Sequence, residues 1–213
     1  MAADPQELSV AREYLRGLSH PFLLRAYNAD PEDFEKITDE DFKCEYLDGE
    51  LIVHSPASLR HEDVAAFLLT LLRTFVSNRR LGHVFGSNAV MQIDQRRLCP
   101  DVSFLSETHA ERMRGGRLYG PFDLVAEILS TSTRDYDTRT KLPVYREARV
   151  REIWLIDPDR RQFEAHVLRG ESYSGTVLPT GRWRSVALPG FSVAVDWFWA
   201  DPLPAIGECA TDA

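Results

Sequence analysis

Apolar and polar residues alternate along this chain in a pattern that predicts strands around one helical connection. Two apolar runs, residues 122–129 and 153–156, are bounded by turn-forming residues, as buried strands are. A helix-like link separates them, so the order is strand, helix, strand. This order is typical of a parallel pair of strands joined by a crossover connection. We therefore predict a parallel unit in this part of the chain.

The flanking segments predict a hairpin, a long helix and further strands. Residues 42–47 and 50–54 flank Asp48-Gly49, which is a strong hairpin signal. A helix is predicted from an N-cap at Ser58 to about Arg80, because apolar residues recur there every three or four positions. The remaining predicted strands are residues 83–93, 98–105, 162–168, 172–178, 182–188 and 191–197.

These elements predict one α/β domain. A chain of 213 residues that is 44% hydrophobic can bury one full core. We place the domain at residues 38–200 and expect additional β-hairpins near both of its ends. Residues 1–37 are expected to form a peripheral N-terminal arm, and residues 201–213 a frayed tail.

Composition narrows the class of protein. No apolar run approaches the roughly 20 residues needed to span a bilayer, and the N-terminus lacks a basic region followed by an apolar one. We therefore expect a cytoplasmic protein with no membrane partner. Cys44, Cys99 and Cys209 are too far apart to indicate a disulfide framework or a zinc site. The net charge of -8 argues against non-specific coating of nucleic acid, although a local basic groove is compatible with it.

The predicted buried strand at residues 122–129 contains one charged residue in its middle. Glu127 has apolar neighbours on both faces of the predicted strand. An isolated buried charge is too costly, so this carboxylate must be neutral, paired or bound to a cation. The structural alternative to a functional role is a buried ion pair with Lys141 or Arg139.

Two further residues, Asp101 and Lys141, are candidates to form a site together with Glu127. Asp101 enters the predicted strand that precedes it, and Lys141 follows in the helical link. If the two strands are neighbours, both carboxylates face one cleft, where they cannot both stay ionised without help. A magnesium or manganese ion supplies that help, lowers the pKa of bound water and stabilises charge on a phosphate. A nearby lysine would orient the water or the phosphate. The constellation fits metal-assisted phosphodiester hydrolysis.

Each of these residues alone has a simpler interpretation. An aspartate after a proline, such as Asp101, is more often a turn former, and a helical lysine such as Lys141 is usually solvated. For Asp135 and Asp137 one alternative is a supporting contact to the residues of the site, but acids that precede a predicted helix are more often capping residues. Only the combination with Glu127 favours a site.

The same residues resemble a known superfamily. Pro100-Asp101 followed by Glu127 in an apolar strand is similar to the PD-(D/E)XK nucleases. Their restriction-endonuclease-like core is a mixed β-sheet flanked by helices, which is the fold that the resemblance implies here. More closely, about residues 38–198 look like the Uma-two family of restriction endonucleases. The similar segments are YLDGELIVHSPASLRH, LCPDVSFL, DLVAEILSTSTRDYDTRTKLPVYREARVREIWLIDP and LPGFSV.

The resemblance implies that Asp101 and Glu127 bind a magnesium or manganese ion. The wider superfamily places its lysine two residues after the glutamate, where this chain has Leu129. The Uma-two family instead carries a lysine on the following helix, and Lys141 matches it. Pro143 is compatible with a helix that starts near residue 140, because proline is tolerated in a first helical turn.

Glu45 and His61 also match family positions near the site, with Glu45 as a third acid on the hairpin. The alternative for His61 is a surface or satisfied core histidine. The implied function is a magnesium-dependent endonuclease acting on DNA. Two alternatives stay open: a non-catalytic binding or assembly module, acting as a homodimer through its aromatic-rich C-terminal hairpins, and a metal-dependent hydrolase of another phosphate ester.

Overall fold

A computed structural model describes residues 23–37, 44–55 and 57–209. The first 22 residues of the expected N-terminal arm and the predicted strand start at residues 42–43 lie outside these ranges. The helices are α1 (Pro31–Ile37), α2 (Leu59–Arg79), α3 (Arg134–Tyr136) and α4 (Leu142–Glu147). The strands are β1 (Leu23–Tyr27), β2 (Cys44–Leu47), β3 (Glu50–His54), β4 (Gly82–Gly86), β5 (Met91–Ile93), β6 (Arg96–Leu98), β7 (Val102–Ser106), β8 (Met113–Arg114), β9 (Arg117–Tyr119), β10 (Leu124–Ile128), β11 (Glu152–Asp157), β12 (Gln162–Arg169), β13 (Ser172–Leu178), β14 (Arg182–Arg184) and β15 (Ser192–Ala194).

A six-stranded sheet forms the centre of the fold, with the strand order β13-β12-β11-β10-β7-β4. β10 and β11 are parallel, and α3 and α4 lie in the connection between them. The predicted parallel unit is therefore confirmed. All other neighbouring strands of this sheet are antiparallel. The mixed α/β architecture agrees with the fold class predicted above.

A second, seven-stranded sheet has the order β1-β3-β2-β6-β5-β9-β8. Its β2–β3 hairpin turns at Asp48-Gly49, where both residues have positive φ, 46° and 93°. A two-residue turn with positive φ matches the right-handed twist of the flanking strands, which is why Asp-Gly is favoured here. The predicted N-terminal hairpin is confirmed for the described residues.

The single strands predicted at residues 83–93 and 98–105 are wrong, because each segment is divided between the two sheets. β4 and β7 belong to the central sheet, whereas β5 and β6 belong to the second sheet. The chain turns out of the central sheet after Gly86, whose carbonyl accepts a hydrogen bond from the Ala89 N–H at 3.1 Å. It returns at Pro100-Asp101. Asp101 consequently lies where the chain passes from one sheet to the other.

The helix α2 covers one face of the central sheet. Ser58 Oγ accepts a hydrogen bond from the His61 N–H, and Arg80 ends the helix in a left-handed conformation, as predicted within one residue. The apolar face of α2 packs against the sheet and against residues 187–198. Its buried residues are Val64, Phe67, Leu68, Leu71, Leu72, Phe75 and Val76. No helix within the described ranges combines the length and apolar character that a bilayer crossing requires.

The opposite face of the central sheet packs against the second sheet and the α3–α4 connection. Leu105, Val125 and Ile153 contribute to this second core from the central sheet, and Leu98 and Tyr145 contribute from the other side. Because residues 125 and 127 share a face of β10, Glu127 points into the same interlayer region. The candidate site therefore lies between layers of the fold.

Both ends of the described chain pack on these layers. Within the segment that we expected to form a peripheral arm, β1 pairs with β3 at the edge of the second sheet, and Phe34 of α1 is fully buried. Leu203, Ile206 and Cys209 pack with the first core, in the described part of the expected tail. The strands predicted at residues 182–188 and 191–197 are shorter, since residues 195–199 form a 3₁₀-helix.

Candidate active site

Asp101 and Glu127 lie side by side at one end of two paired strands. β7 and β10 are antiparallel, with Val102 opposite Ala126. Asp101, which precedes Val102, therefore lies beside Glu127, which follows Ala126. The Asp101 N–H lies 3.4 Å from Glu127 Oε2, and the Ile128 N–H donates to Asp101 Oδ2 at 2.9 Å. Both carboxylates therefore face one small volume, as the sequence predicted for neighbouring strands.

Lys141 reaches this volume from an irregular part of the crossover connection. We expected a helix starting near residue 140, but helical structure begins at Arg134 and includes a π-helical turn at Asp137–Lys141. In that turn the Leu142 N–H bonds to the Asp137 carbonyl, five residues back. Pro143 then lies in the first turn of α4, where its missing N–H is tolerated. The wider turn leaves Asp137 and Lys141 both buried.

The Lys141 ammonium group connects the acids of the site. Nζ lies 2.6 Å from Glu127 Oε1 and 3.1 Å from Glu45 Oε1, and it donates to the Cys99 carbonyl at 3.4 Å. Its side chain is only 2% exposed. Arg139, the other cation considered from the sequence, is largely exposed and contacts Asp135 instead. The buried partner of Glu127 is therefore Lys141.

Glu45 is fully buried and is held by groups from three other segments. The Cys99 N–H donates to its Oε1 at 2.7 Å, and the Tyr136 hydroxyl donates to its Oε2 at 2.8 Å. His54 Nε2 lies 3.0 Å from the same Oε2. Glu45 thus forms a fixed link between β2, the chain before Asp101 and the helical connection. Its predicted place near the other acids agrees with this geometry.

Sequence reasoning missed two residues of the site on the helical connection, Tyr136 and Tyr145, and assigned a third, Asp137, to capping. The Tyr145 hydroxyl donates to Glu127 Oε1 at 2.5 Å, and Asp137 Oδ1 lies 3.9 Å from Lys141 Nζ. The signal available for Asp137 and Tyr145 was their spacing from Lys141, because residues four positions apart lie on the same side of a helix.

His61 lies at the most accessible edge of the site. Its Nε2 is 3.0 Å from Asp101 Oδ2, and it occupies the first turn of α2. The side chains of His61 and Asp101 are 11% and 7% exposed, whereas those of Glu127 and Lys141 are almost completely buried. Asp101 is therefore the most exposed of the four acids in the site.

The ionisation of the site reflects burial first and neighbouring charges second. Burial raises the pKa of Glu127 to about 7; the Lys141 charge opposes this shift, and the charges of Asp101 and Glu45 add to it. Burial lowers the pKa of Lys141, but the Glu127 and Glu45 carboxylates outweigh burial and hold this pKa well above its usual value. Burial, then the Glu127 charge, raises the pKa of Asp137. Lys141 consequently stays protonated among an excess of acids.

The donor chemistry of this cluster fits a hard divalent cation. Within the described ranges, no group of three or more His, Cys, Asp or Glu side chains is arranged to hold a metal ion. Magnesium, however, is commonly held by one or two carboxylates and keeps several waters. Asp101 and Glu127 offer two hard oxygen ligands, and Glu45 adds further negative charge around a single ammonium group. This set suits magnesium or manganese better than zinc, which prefers nitrogen and sulfur ligands.

A mixed sheet thus places an aspartate and a glutamate on adjacent strands beside a buried lysine. The Uma2 (Uma-two) family model, described as "Putative restriction endonuclease", matches residues 31–196. The chain therefore belongs to the Uma2 family. That description supports a nuclease function and, through it, a nucleic-acid substrate.

A solved structure agrees with this assignment at the level of fold. It is a 1.96 Å crystal structure described as "a putative nuclease belonging to DUF820" from Anabaena variabilis ATCC 29413. The similarity covers 80% of this chain and 97% of that chain, with a TM-score of 0.68 and 15% sequence identity. At this identity the likeness shows the shared fold alone. No curated protein matches the chain.

Proposed function

We propose that the protein is a metal-dependent endonuclease that hydrolyses phosphodiester bonds of DNA. The observation that carries the proposal is the convergence of Asp101, Glu127 and Lys141 at one end of β7 and β10, in a chain of the Uma2 family. Buried acids beside a charged lysine suit phosphoryl chemistry, because the developing charge on a phosphate needs preorganised positive groups.

In this proposal Asp101 and Glu127 hold a magnesium or manganese ion. When bound, the ion supplies a Lewis acid for the phosphate and lowers the pKa of a coordinated water. Lys141 remains protonated, because the surrounding carboxylates keep its pKa well above the usual value. It therefore stabilises negative charge on the scissile phosphate and does not act as the proton acceptor.

Three other residues position these groups. Glu45 accepts the second contact of the Lys141 ammonium group and so fixes its direction. The Tyr145 hydroxyl donates to Glu127; burial and the Glu127 charge raise the pKa of this tyrosine, so the hydroxyl keeps its proton. His61 contacts Asp101 at the accessible edge and orients its carboxylate. We assign positioning roles to all three.

The decisive experiment is cleavage of supercoiled plasmid and of single-stranded DNA by purified protein with magnesium or manganese. EDTA and the Glu127→Gln variant serve as negative controls. Glu171→Gln is the matched control, because the same chemical change falls on a side chain that is 90% exposed. We expect metal-dependent nicking by the wild type and by Glu171→Gln only. Equal cleavage by folded Glu127→Gln and wild type would refute the assigned site.

The alternatives give different results in the same preparation. A wild type that binds manganese and hydrolyses bis(p-nitrophenyl) phosphate, but cleaves neither DNA, would be a hydrolase of another phosphate ester. A wild type that neither binds manganese nor cleaves any of these substrates would be a binding or assembly module. Homodimer formation and a cytoplasmic location remain predictions, and light scattering of the purified protein tests the first of them.

A further inference from the structure

A cavity of about 600 Å³ lies next to the candidate site and has no role in the chemistry described so far. It is formed by the chain that leaves β4, residues 85–90, and by the β8–β9 hairpin, residues 113–118, with Phe122 below them. Its volume falls in the range of small-molecule binding sites.

The strand register places this cavity beside the acids. Gly86, which lines the cavity, pairs with Val102, the residue that follows Asp101. Neighbouring strands lie about 4.8 Å apart, so the cavity begins roughly one strand spacing from Val102. Phe85 and Phe122 pack with the core between the two sheets, which is also the side to which Glu127 points. A polymer bound at Asp101 can therefore extend into the cavity.

The cavity is positively charged in a chain whose net charge is -8. Two arginines line it, and none of its described lining residues is acidic. Arg117 is neutralised by an ion pair with Glu35. Arg114 stacks over the Tyr119 ring at 5.0 Å and forms no ion pair within the described residues. Its guanidinium group is thus available to an anion.

The rest of the lining suits a flat aromatic group. The rings of Phe85 and Phe122 are 5.8 Å apart and tilted by 43°. Ser87 and Asn88 add polar groups from the loop that leaves β4. Aromatic side chains that stack a base, together with a cation for the backbone, are the usual elements of single-stranded nucleic-acid recognition.

We propose that this cavity binds one unstacked nucleotide of the substrate strand. Its phosphate contacts Arg114, and its base packs on Phe85, which the buried Phe122 ring supports from the core side. The inference rests on the proposed nuclease function, because it assumes a nucleic-acid strand at Asp101. A base inside a duplex cannot enter such a cavity without leaving its stack. The protein therefore prefers single-stranded or mismatched DNA to a fully paired duplex.

The test measures binding separately from cleavage. A fluorescent single-stranded oligonucleotide is titrated with protein in EDTA, and its anisotropy gives the dissociation constant for the wild type, Arg114→Glu and Phe85→Ala. Arg73→Glu is the matched control, because it makes the same charge change at an exposed position on α2. Loss of a stacking or phosphate contact should weaken binding roughly tenfold or more in the first two variants. The control should stay within about twofold of the wild type.

Circular dichroism and thermal unfolding confirm that each variant is folded. Equal weakening by Arg114→Glu and Arg73→Glu would overturn the proposal, because it would show a general charge effect. Undetectable wild-type binding, or equal affinity of the wild type for the single strand and its duplex, would also overturn it.

Cleavage assays separate this proposal from the nuclease proposal. If the wild type binds the oligonucleotide through Arg114 but never cleaves DNA with metal, the cavity stands and the nuclease proposal fails. If Arg114→Glu and Phe85→Ala bind and cleave like the wild type, the nuclease proposal stands and the cavity proposal fails.

Discussion

Glu127 and Glu152 are both completely buried and lie on the adjacent strands β10 and β11, but their surroundings differ. Glu152 accepts five hydrogen bonds, each 2.7 Å long. Its donors are Trp154 Nε1, Trp183 Nε1, Ser185 Oγ, Val186 N–H and Ala187 N–H. Glu127 instead contacts the Lys141 ammonium group and the Tyr145 hydroxyl, with Asp101 and Glu45 nearby.

Under the proposed function, this difference separates a structural carboxylate, Glu152, from a chemical one, Glu127. Every donor to Glu152 is a neutral group, and both of its oxygens are fully engaged, so it fastens residues 183–187 to the central sheet. Glu127 lies where acids outnumber the ammonium group, and its pKa is raised to about 7. Burial of an acid in a strand therefore does not identify a site; an excess of like charge around it does.

The largest expected effect is that of Glu127→Gln on cleavage. The change preserves shape but removes a proposed metal ligand and the charge next to Lys141. We expect a loss of about 10³-fold in single-turnover cleavage, or about 4 kcal/mol of transition-state stabilisation. The unfolding temperature should change by no more than a few degrees. Retained cleavage would assign Glu127 to the same structural class as Glu152.

The same substitution at Glu152 should act on stability instead. An amide nitrogen in place of one oxygen faces donors that then lack an acceptor, so we expect a loss of about 3 kcal/mol in the free energy of unfolding. Urea denaturation measures this loss, with Glu171→Gln as the exposed control. Manganese binding by the folded protein should not change. A Glu152→Gln variant of normal stability that lost manganese binding would contradict the structural role assigned to Glu152.

Tyr145→Phe tests a positioning contact of Glu127. Loss of the hydroxyl removes the donor that orients this carboxylate, and we expect roughly tenfold slower cleavage. Tyr173→Phe is the matched control, because its hydroxyl donates to a backbone carbonyl, that of Val150, at 2.6 Å. The control should cleave at the wild-type rate. If both variants slowed cleavage equally, the effect would reflect general packing.

The smallest effect is expected from Trp183→Phe, which removes one of the five donors to Glu152. The remaining four donors still hydrogen-bond both carboxylate oxygens, so the free energy of unfolding should fall by only about 1 kcal/mol. Urea denaturation measures it against Glu152→Gln. A loss as large as that of Glu152→Gln would mean that the indole packing, and not the carboxylate, holds the C-terminal segment.

Sequence patterns predicted the elements that depend on local signals. α2, the Asp48-Gly49 hairpin and the β10–β11 unit follow from periodicity, capping and turn chemistry. The division of residues 83–93 and 98–105 between two sheets was not predictable in this way, because alternation does not identify the partner of a strand. The π-helical turn before Pro143 was missed for a related reason, since it departs from the 3.6-residue period.

The candidate site was predicted where a residue conflicted with its own segment. Glu127 is conspicuous in an apolar strand, the order of the segments placed Asp101 and Lys141 with it, and the resemblance to the Uma-two family supplied Glu45 and His61. Tyr145 fits its helix without conflict, so only its four-residue spacing from Lys141 marked it. Glu152 also escaped notice, because four of its five donors lie more than thirty residues further along the chain and only the folded structure brings them to it.

The acids and the lysine come from β2, the start of β7, β10 and the helical connection, at positions 45, 101, 127 and 141. No contiguous fragment shorter than this span contains all four. During synthesis, a growing chain cannot assemble the complete cluster before residue 141 has emerged and both sheets have formed. Under the proposed function, a nascent or partly folded molecule is therefore harmless to nucleic acid, and hydrolytic competence arises together with the native state.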